Sequence, residues 1–323
     1  MTLLAFKFIL AVLLLNKSAD WFARGAALVA ELTGMPRLWM GAILAGFVTS
    51  IPEFVVSGLA AGSGHSAVAV GNSIGSVTFN CVLLGICLVS ARTALDKAWF
   101  RDHGIPMLVV CLLLFAIGLR DTIRWPVALV FLLICVFYGF WSVLTAQKDP
   151  LAARVAEEAA EETIGSGVRH RWYVAALLLG VSIPLIFASS RWVLSLAVRM
   201  AEQLGIGEAV IALTLVAIGT SLPELATTIA ATRRGHLDTS IGLIFGSNIF
   251  VGAGAIGVSG LCGPLTVTAA NRLFDLPVMM LVTGIPFVPL LWGKAPGRIM
   301  GYLLLLGYAA YVYALFTLYG IFE

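Results

Sequence analysis

Charge is scarce in this chain of 323 residues: Asp, Glu, Lys and Arg make up 11% of it, where a soluble domain carries about 25%. Hydrophobic residues make up 60%, which excludes an ordinary soluble domain. No basic run is present and the formal net charge is only +3, so nothing points to nucleic acid as a partner. Alternation of polar and apolar residues with period two is missing, which excludes a membrane β-barrel. Cysteine spacing gives no metal-type pair. Cys81, Cys87, Cys111, Cys135 and Cys262 read as reduced thiols acting as small apolar residues. No H-E-x-x-H, no G-x-S-x-G and no glycine-rich phosphate loop occurs. The nearest approach, around Ser66, has Val68 in the final position. No enzyme signature and no resident cofactor are therefore expected. A cleavable signal peptide is not expected either, because the first apolar run continues into a long helix.

Apolar blocks are what the chain has in quantity. Crossing a bilayer takes roughly 20 residues of helix, and ten blocks qualify, approximately 3–30, 38–61, 67–90, 103–119, 125–146, 172–198, 207–230, 240–262, 273–293 and 299–321. The fold class is thus all-α integral membrane protein, with the lipid bilayer as its surroundings. If the N-terminus lies outside, the inner loops hold Arg37, Arg92, Lys97, Arg101, Lys148, Arg154, Arg169, Arg171, Arg233, Arg234, Lys294 and Arg298. The outer segments hold Lys7, Arg120, Arg124, Arg199 and Arg272. The positive-inside rule then places both termini outside, and the expected location is the cell's inner (plasma) membrane.

The chain also matches itself at an offset of about 171 residues. Thr49, Ser50, Pro52 and Glu53 meet Thr220, Ser221, Pro223 and Glu224. Gly71, Gly75, Ser76 and Phe79 meet Gly242, Gly246, Ser247 and Phe250, and Arg101 and Pro106 meet Arg272 and Pro277. Five helices per half is an odd number, so the second half enters the membrane from the opposite side. The expectation is ten transmembrane helices in two inverted five-helix repeats: residues 1–146, a cytoplasmic linker at 147–171, and residues 172–323. Inverted repeats are a common build for secondary transporters with a site near the midplane. The linker carries Glu157, Glu158, Glu161 and Glu162, which read as a solvated helical face.

Glu53 and Glu224 stand out within the blocks. A carboxylate at the bilayer centre costs roughly 2.5–3.5 kcal/mol, and no Lys or Arg lies within a turn of either on the same block. Crossing inverted helices would bring the two together, and their repulsion would call for a divalent cation, several monovalent cations or protons. Hard cations want oxygen ligands. Thr49 and Glu53 are four apart, as are Thr220 and Glu224, so each pair is expected on one helix face. Pro52 cannot donate to the carbonyl of Val48, nor Pro223 to that of Gly219, and each frees a backbone oxygen. Ser50 and Ser221 add hydroxyls. On the following helix, Gly71 with Gly75 and Gly242 with Gly246 form G-x-x-x-G faces for close approach, flanked by Asn72, Ser76, Leu243 and Ser247. Lys17, Asp20 and Arg24 read as a local ion-paired group, and His65 and His236 as turn residues.

These motifs, V-T-S-I-P-E (48–53) with GNSIGSVTFN (71–80) and G-T-S-L-P-E (219–224) with GLIFGSNIFV (242–251), resemble the two α-repeats of the cation/calcium exchanger superfamily, whose prokaryotic members are Na+/Ca2+ antiporters. The resemblance covers about residues 15–106 and 186–277. It implies Glu53, Glu224, Thr49 and Thr220 as Ca2+ ligands, and Na+ sites that share the carboxylates with flanking hydroxyls and carbonyls. It also implies a middle position drawing on Asn72 and the residue matching Leu243. This chain departs from the family pattern at Val77, Val251 and Leu243, where that pattern has Asn at the first two and Asn or Asp at the third. The expected function is antiport of Ca2+ against Na+, with a Ca2+ or other cation/H+ exchanger as the alternative. An intramembrane enzyme and a passive channel fit less well. The partners are then the ions themselves, Ca2+ and Na+ or H+, bound as substrates; no obligatory protein partner is evident.

Overall fold

The computed structural model describes residues 1–33, 44–91, 95–146, 172–235 and 237–318. Arg37, Arg92, Lys148, His236 and the whole 147–171 linker lie outside the described residues. Helix α1 spans Thr2–Leu32. A π-helical stretch, Leu44–Val48, leads into α2, Ile51–Gly62. Then follow α3 (Ser66–Ser90), α4 (Lys97–Gly118) and α5 (Trp125–Ala146). In the second half α6 spans Trp172–Leu204, and α7 (Glu208–Ile211) passes through a π-helical stretch, Ala212–Val216, into α8 (Ala217–Thr220). After a bend come α9 (Leu222–Arg233), α10 (Leu237–Ile249), the π-helical Phe250–Ala255 and α11 (Ile256–Cys262). The chain closes with a π-helical turn at Asn271–Asp275, α12 (Leu276–Gly284), the 3-10 segment Ile285–Trp292 and α13 (Arg298–Leu318).

Among the described residues, eight helices are long and apolar enough to cross a membrane, and the pair 208–220 and 222–233, bent by 48°, makes a ninth. The expected block 38–61 is described from Leu44 onward, where Gly46–Gly62 is a shorter apolar helix. The only strands described are β1 (Thr122–Ile123) and β2 (Leu265–Thr266), an antiparallel pair with Thr122 opposite Thr266.

The surface is apolar and the interior holds the polar groups, as a lipid solvent demands. Phe137, Phe140, Leu306 and Tyr313 point outward, whereas α3 is buried almost throughout, Asn72, Ser73, Ser76, Thr78 and Asn80 included. Glycines let helices approach α3 closely, as expected from its G-x-x-x-G face. A Cβ on Gly71 would meet the Cβ of Ala212 at 2.8 Å, and one on Gly75 would meet the Leu213 carbonyl at 2.6 Å. A separate apolar cluster joins α1 to α6 through Phe8, Leu15, Ile186, Val193 and Met200.

All five cysteines are free, four buried and Cys262 exposed at the end of α11. Asp20 pairs with Lys17 (2.9 Å) and Arg24 (3.1 Å) as the spacing implied. His65 precedes α3 in a turn, and its Nδ1 lies 3.0 Å from Glu208 of α7.

Candidate functional site

Each half breaks its helix at the T-S-x-P-E motif, and proline is the reason. Pro52 and Pro223 sit in the first turns of α2 and α9, where a missing N–H costs nothing. The same rings cannot continue the preceding helix, so Thr49–Ser50 and Ser221 form turns. Glu53 and Glu224 therefore lie in first turns of helices. The free N–H groups and helix dipole at such an end favour a negative charge. This is local support for carboxylates that are 0% and 4% exposed.

The break also changes which residues meet. A turn falls between Thr49 and Glu53, and another between Thr220 and Glu224, so neither pair lies on one unbroken helix. Thr220 lies beside Glu53, and Thr49 beside Glu224. The turn between threonine and glutamate reorients one against the other, so the motifs of the two halves interlock. The two motifs meet directly, because Ser221, three residues before Glu224, hydrogen-bonds Glu53. Ser221 Oγ donates to Glu53 Oε1 at 3.0 Å, and Ser247 Oγ to Glu224 Oε1 at 3.3 Å. The second oxygens, Glu53 Oε2 and Glu224 Oε2, are buried without a hydrogen-bond partner. An unmet buried acceptor costs about 1–3 kcal/mol. Two such oxygens, one from each motif and each beside a serine-bonded partner oxygen, suit a hard cation or protons.

The remaining expected residues lie around this pair in different ways. Asn72 Nδ2 donates to Ser57 Oγ (2.9 Å), while its Oδ1 accepts from Thr220 Oγ1 (3.2 Å). Ser50 and Thr49 both donate to the Gly46 carbonyl, at 2.8 and 3.2 Å. Ser76 donates to the equivalent carbonyl, Ala217, at 3.5 Å. Ser50 and Ser76 thus bond to backbone rather than to carboxylate. Val48 is buried against the α1 side. The Gly219 carbonyl, expected to be freed by Pro223, accepts from Asn16 Nδ2 at 2.9 Å.

Three residues escaped the spacing argument. Asn80, the last position of GNSIGSVTFN, donates to Ser247 Oγ (3.4 Å) and Asn248 Oδ1 (2.8 Å), and its own Oδ1 is buried without a partner. Its place in the quoted motif was the available signal. Asn16 interrupts an apolar run in α1, a signal also open to sight. Asp275, fully buried, accepts from Asn271 Nδ2 (2.9 Å) and Tyr311 OH (2.8 Å). It ties the start of the 271–292 span to α13, away from the glutamate pair.

Comparison with known proteins agrees with this architecture. The family model described as "Sodium/calcium exchanger protein" matches residues 3–144 and 174–317. The putative antiporter CaxA of Alkalimonas amylolytica is 33% identical, over 96% of this chain and 97% of its own length. The sodium/calcium exchanger MaX1 of Methanosarcina acetivorans is 26% identical over 95% and 97%. A solved structure of the sodium–calcium exchanger NCX_Mj, soaked with Na+ and Sr2+, aligns over 98% of this chain and 99% of that one, with TM-score 0.62 and 25% identity. The family is one of transporters rather than enzymes, and its members are integral membrane proteins that exchange cations. By motif, helical architecture and match along nearly its whole length, the chain belongs to the sodium/calcium exchanger family, within the cation/calcium exchanger superfamily.

Proposed function

We propose that the protein is a secondary active antiporter that exchanges Ca2+ for Na+ by alternating access at the Glu53–Glu224 pair. One observation carries this reading: two buried carboxylates, one from each half, each keep an oxygen without a partner. Two negative charges balance one Ca2+, and Na+ ions on the same oxygens would exclude it. Glu53, Glu224, Thr49 and Thr220 are the proposed Ca2+ ligands. Ser221 and Ser247, and the Val48 and Gly219 carbonyls, complete the Na+ positions, with Ser50, Asn72 and Ser76 behind them. The Na+, Ca2+ and Sr2+ named for the relatives support this choice of ions.

Ten helices in two inverted repeats fit the contacts. Arg272 pairs with Asp121, and Lys97 Nζ donates to the Gly293 carbonyl at 3.2 Å. The 271–292 span therefore runs antiparallel to α4, its repeat equivalent. Both termini outside and the 147–171 linker inside complete the topology, in the cell's inner (plasma) membrane. A cysteine placed at Ser166 should react from the inside only.

The alternative, exchange of Ca2+ for H+, draws on one specific feature. Leu243 leaves the second half without an amide opposite Asn72. Uptake of radioactive Ca2+ into liposomes, driven by a Na+ gradient or by a pH gradient, separates the two. Uptake with the pH gradient alone would replace Na+ by H+, and flux without any counter-ion would make the protein a channel.

A further inference from the structure

Asn16 lies in an apolar run, ILAVLLLNKS (residues 9–18), where a polar side chain is costly unless it has a task. Its Nδ2 donates to the Val12 carbonyl one turn back (2.8 Å) and to the Gly219 carbonyl (2.9 Å). The second acceptor is the carbonyl that Pro223 leaves without its helical donor. Glycine at 219 eases this approach of α1: a Cβ there would meet Val12 Cγ2 at 3.0 Å. The arrangement is one-sided. At the 171-residue offset Asn16 becomes Phe187, and Gly219 becomes Val48. Amide and glycine stand together in this contact between the halves and are replaced together in its mirror, Phe187 with Val48. The amide is also held from one side only, since Asn16 Oδ1 is buried without a partner.

We infer that Asn16 is a positioning residue that caps the Gly219 carbonyl and is displaced when a cation takes that oxygen. The inference rests on the proposed function, in which Gly219 contributes a ligand. An N–H aimed at a carbonyl puts partial positive charge where the cation's own charge would stand, so the two compete for it. Cation arrival turns the amide away and loosens α1 from α8. Because α1 packs along α6, occupancy of the site is thereby transmitted to that helix pair. No corresponding amide exists on the other side, so only α1 receives the signal directly.

The test is displacement of bound radioactive Ca2+ by Na+ on the purified full-length chain. Asn16→Leu removes the donor at similar volume, and Asn16→Ala guards against overpacking beside Val12. Both should lower the Na+ concentration that displaces half of the Ca2+, by up to about five-fold, the worth of one net hydrogen bond that no longer has to be broken. Phe187→Leu, at the mirror position, should leave that concentration where it was. A purely structural role for Asn16 would lower the thermal midpoint without strengthening Na+ competition. Unchanged or weaker Na+ competition in both Asn16 variants, with Na+ displacing Ca2+ from the parent, overturns this inference alone. A parent that binds no Ca2+, or from which Na+ does not displace it, overturns it together with the proposed function.

Discussion

The two halves build the same carboxylate and then support it differently. In the first half Ser57, Asn72 and Thr220 form a connected chain of hydrogen bonds, 2.9 and 3.2 Å long, that reaches across to the other half's motif. The equivalent residues on the opposite wall are Thr228, Leu243 and Thr49. Leu243 has no polar atom. The Thr228 hydroxyl is buried without a partner, and Thr49 bonds the Gly46 carbonyl as Thr220 bonds that of Ala217, with a leucine where Thr220 has the Asn72 amide. The two motifs match residue for residue at the carboxylates, while the residues behind them differ, and that difference bears on how firmly each threonine is held.

The glutamates themselves should be the part of the comparison that stays symmetric. Glu53→Gln and Glu224→Gln should each reduce Ca2+ uptake to the level of empty liposomes while leaving the protein folded, because each removes one of two charges that face the cation. Normal uptake by both single mutants would remove the site from this pair altogether. Loss in only one of them would show that the halves differ at the carboxylates as well as behind them.

The second-layer asymmetry predicts unequal effects of removing hydroxyl partners. Asn72→Leu gives the first half the composition of the second and strands the Ser57 hydroxyl. It should cost about 1–3 kcal/mol of stability and weaken Ca2+ binding by releasing Thr220. Thr228→Val removes a hydroxyl that has nothing to lose and should be neutral or stabilising, without effect on Ca2+. Thermal midpoints of the two variants decide the matter: equal losses would mean that Thr228 has a partner in the working protein and that the wall is not broken.

These contrasts also mark what was legible in the residues alone. Hydropathy located the helices, and the repeat located Glu53 and Glu224, because both signals are local or periodic. The G-x-x-x-G face was legible for the same reason, and α3 uses it against the 212–216 stretch. Spacing failed where the backbone stopped being a regular helix. Counting four residues from Thr49 to Glu53 assumes an unbroken turn, and the proline that made the motif recognisable also broke that turn. The contacts that Asn16, Asn80 and Asp275 make to other helices carry no such local signal. Asn16 meets Gly219 across 203 positions, and Asn80 meets Asn248 across 168. No period connects such pairs; only the packed fold does.

Leu243→Asn tests the comparison from the other side, by restoring what the second half lacks, and its effect should be the smallest. The residue is half-buried, so the change sacrifices some apolar burial. In return an amide at this position would have the Thr228 hydroxyl and Thr49 as natural partners, mirroring Ser57 and Thr220. Ca2+ ligation should change little, since both carboxylates and both threonines are already in place. Na+ should gain more. A monovalent ion attracts each carboxylate less strongly than Ca2+ does, so its binding depends more on how well the neutral oxygens are held, and an unmet ligand position in a dry pocket is costly. We therefore expect Na+ to compete with Ca2+ at concentrations a few-fold lower in Leu243→Asn than in the parent, with a steeper Na+ dependence of exchange. Pairing the change with Thr228→Val should erase part of that gain, because the new amide then loses one of its two partners. If the Na+ competition curve of Leu243→Asn overlays that of the parent, Leu243 lies off the ion path, and the asymmetry of the second layer bears on stability and not on ion choice.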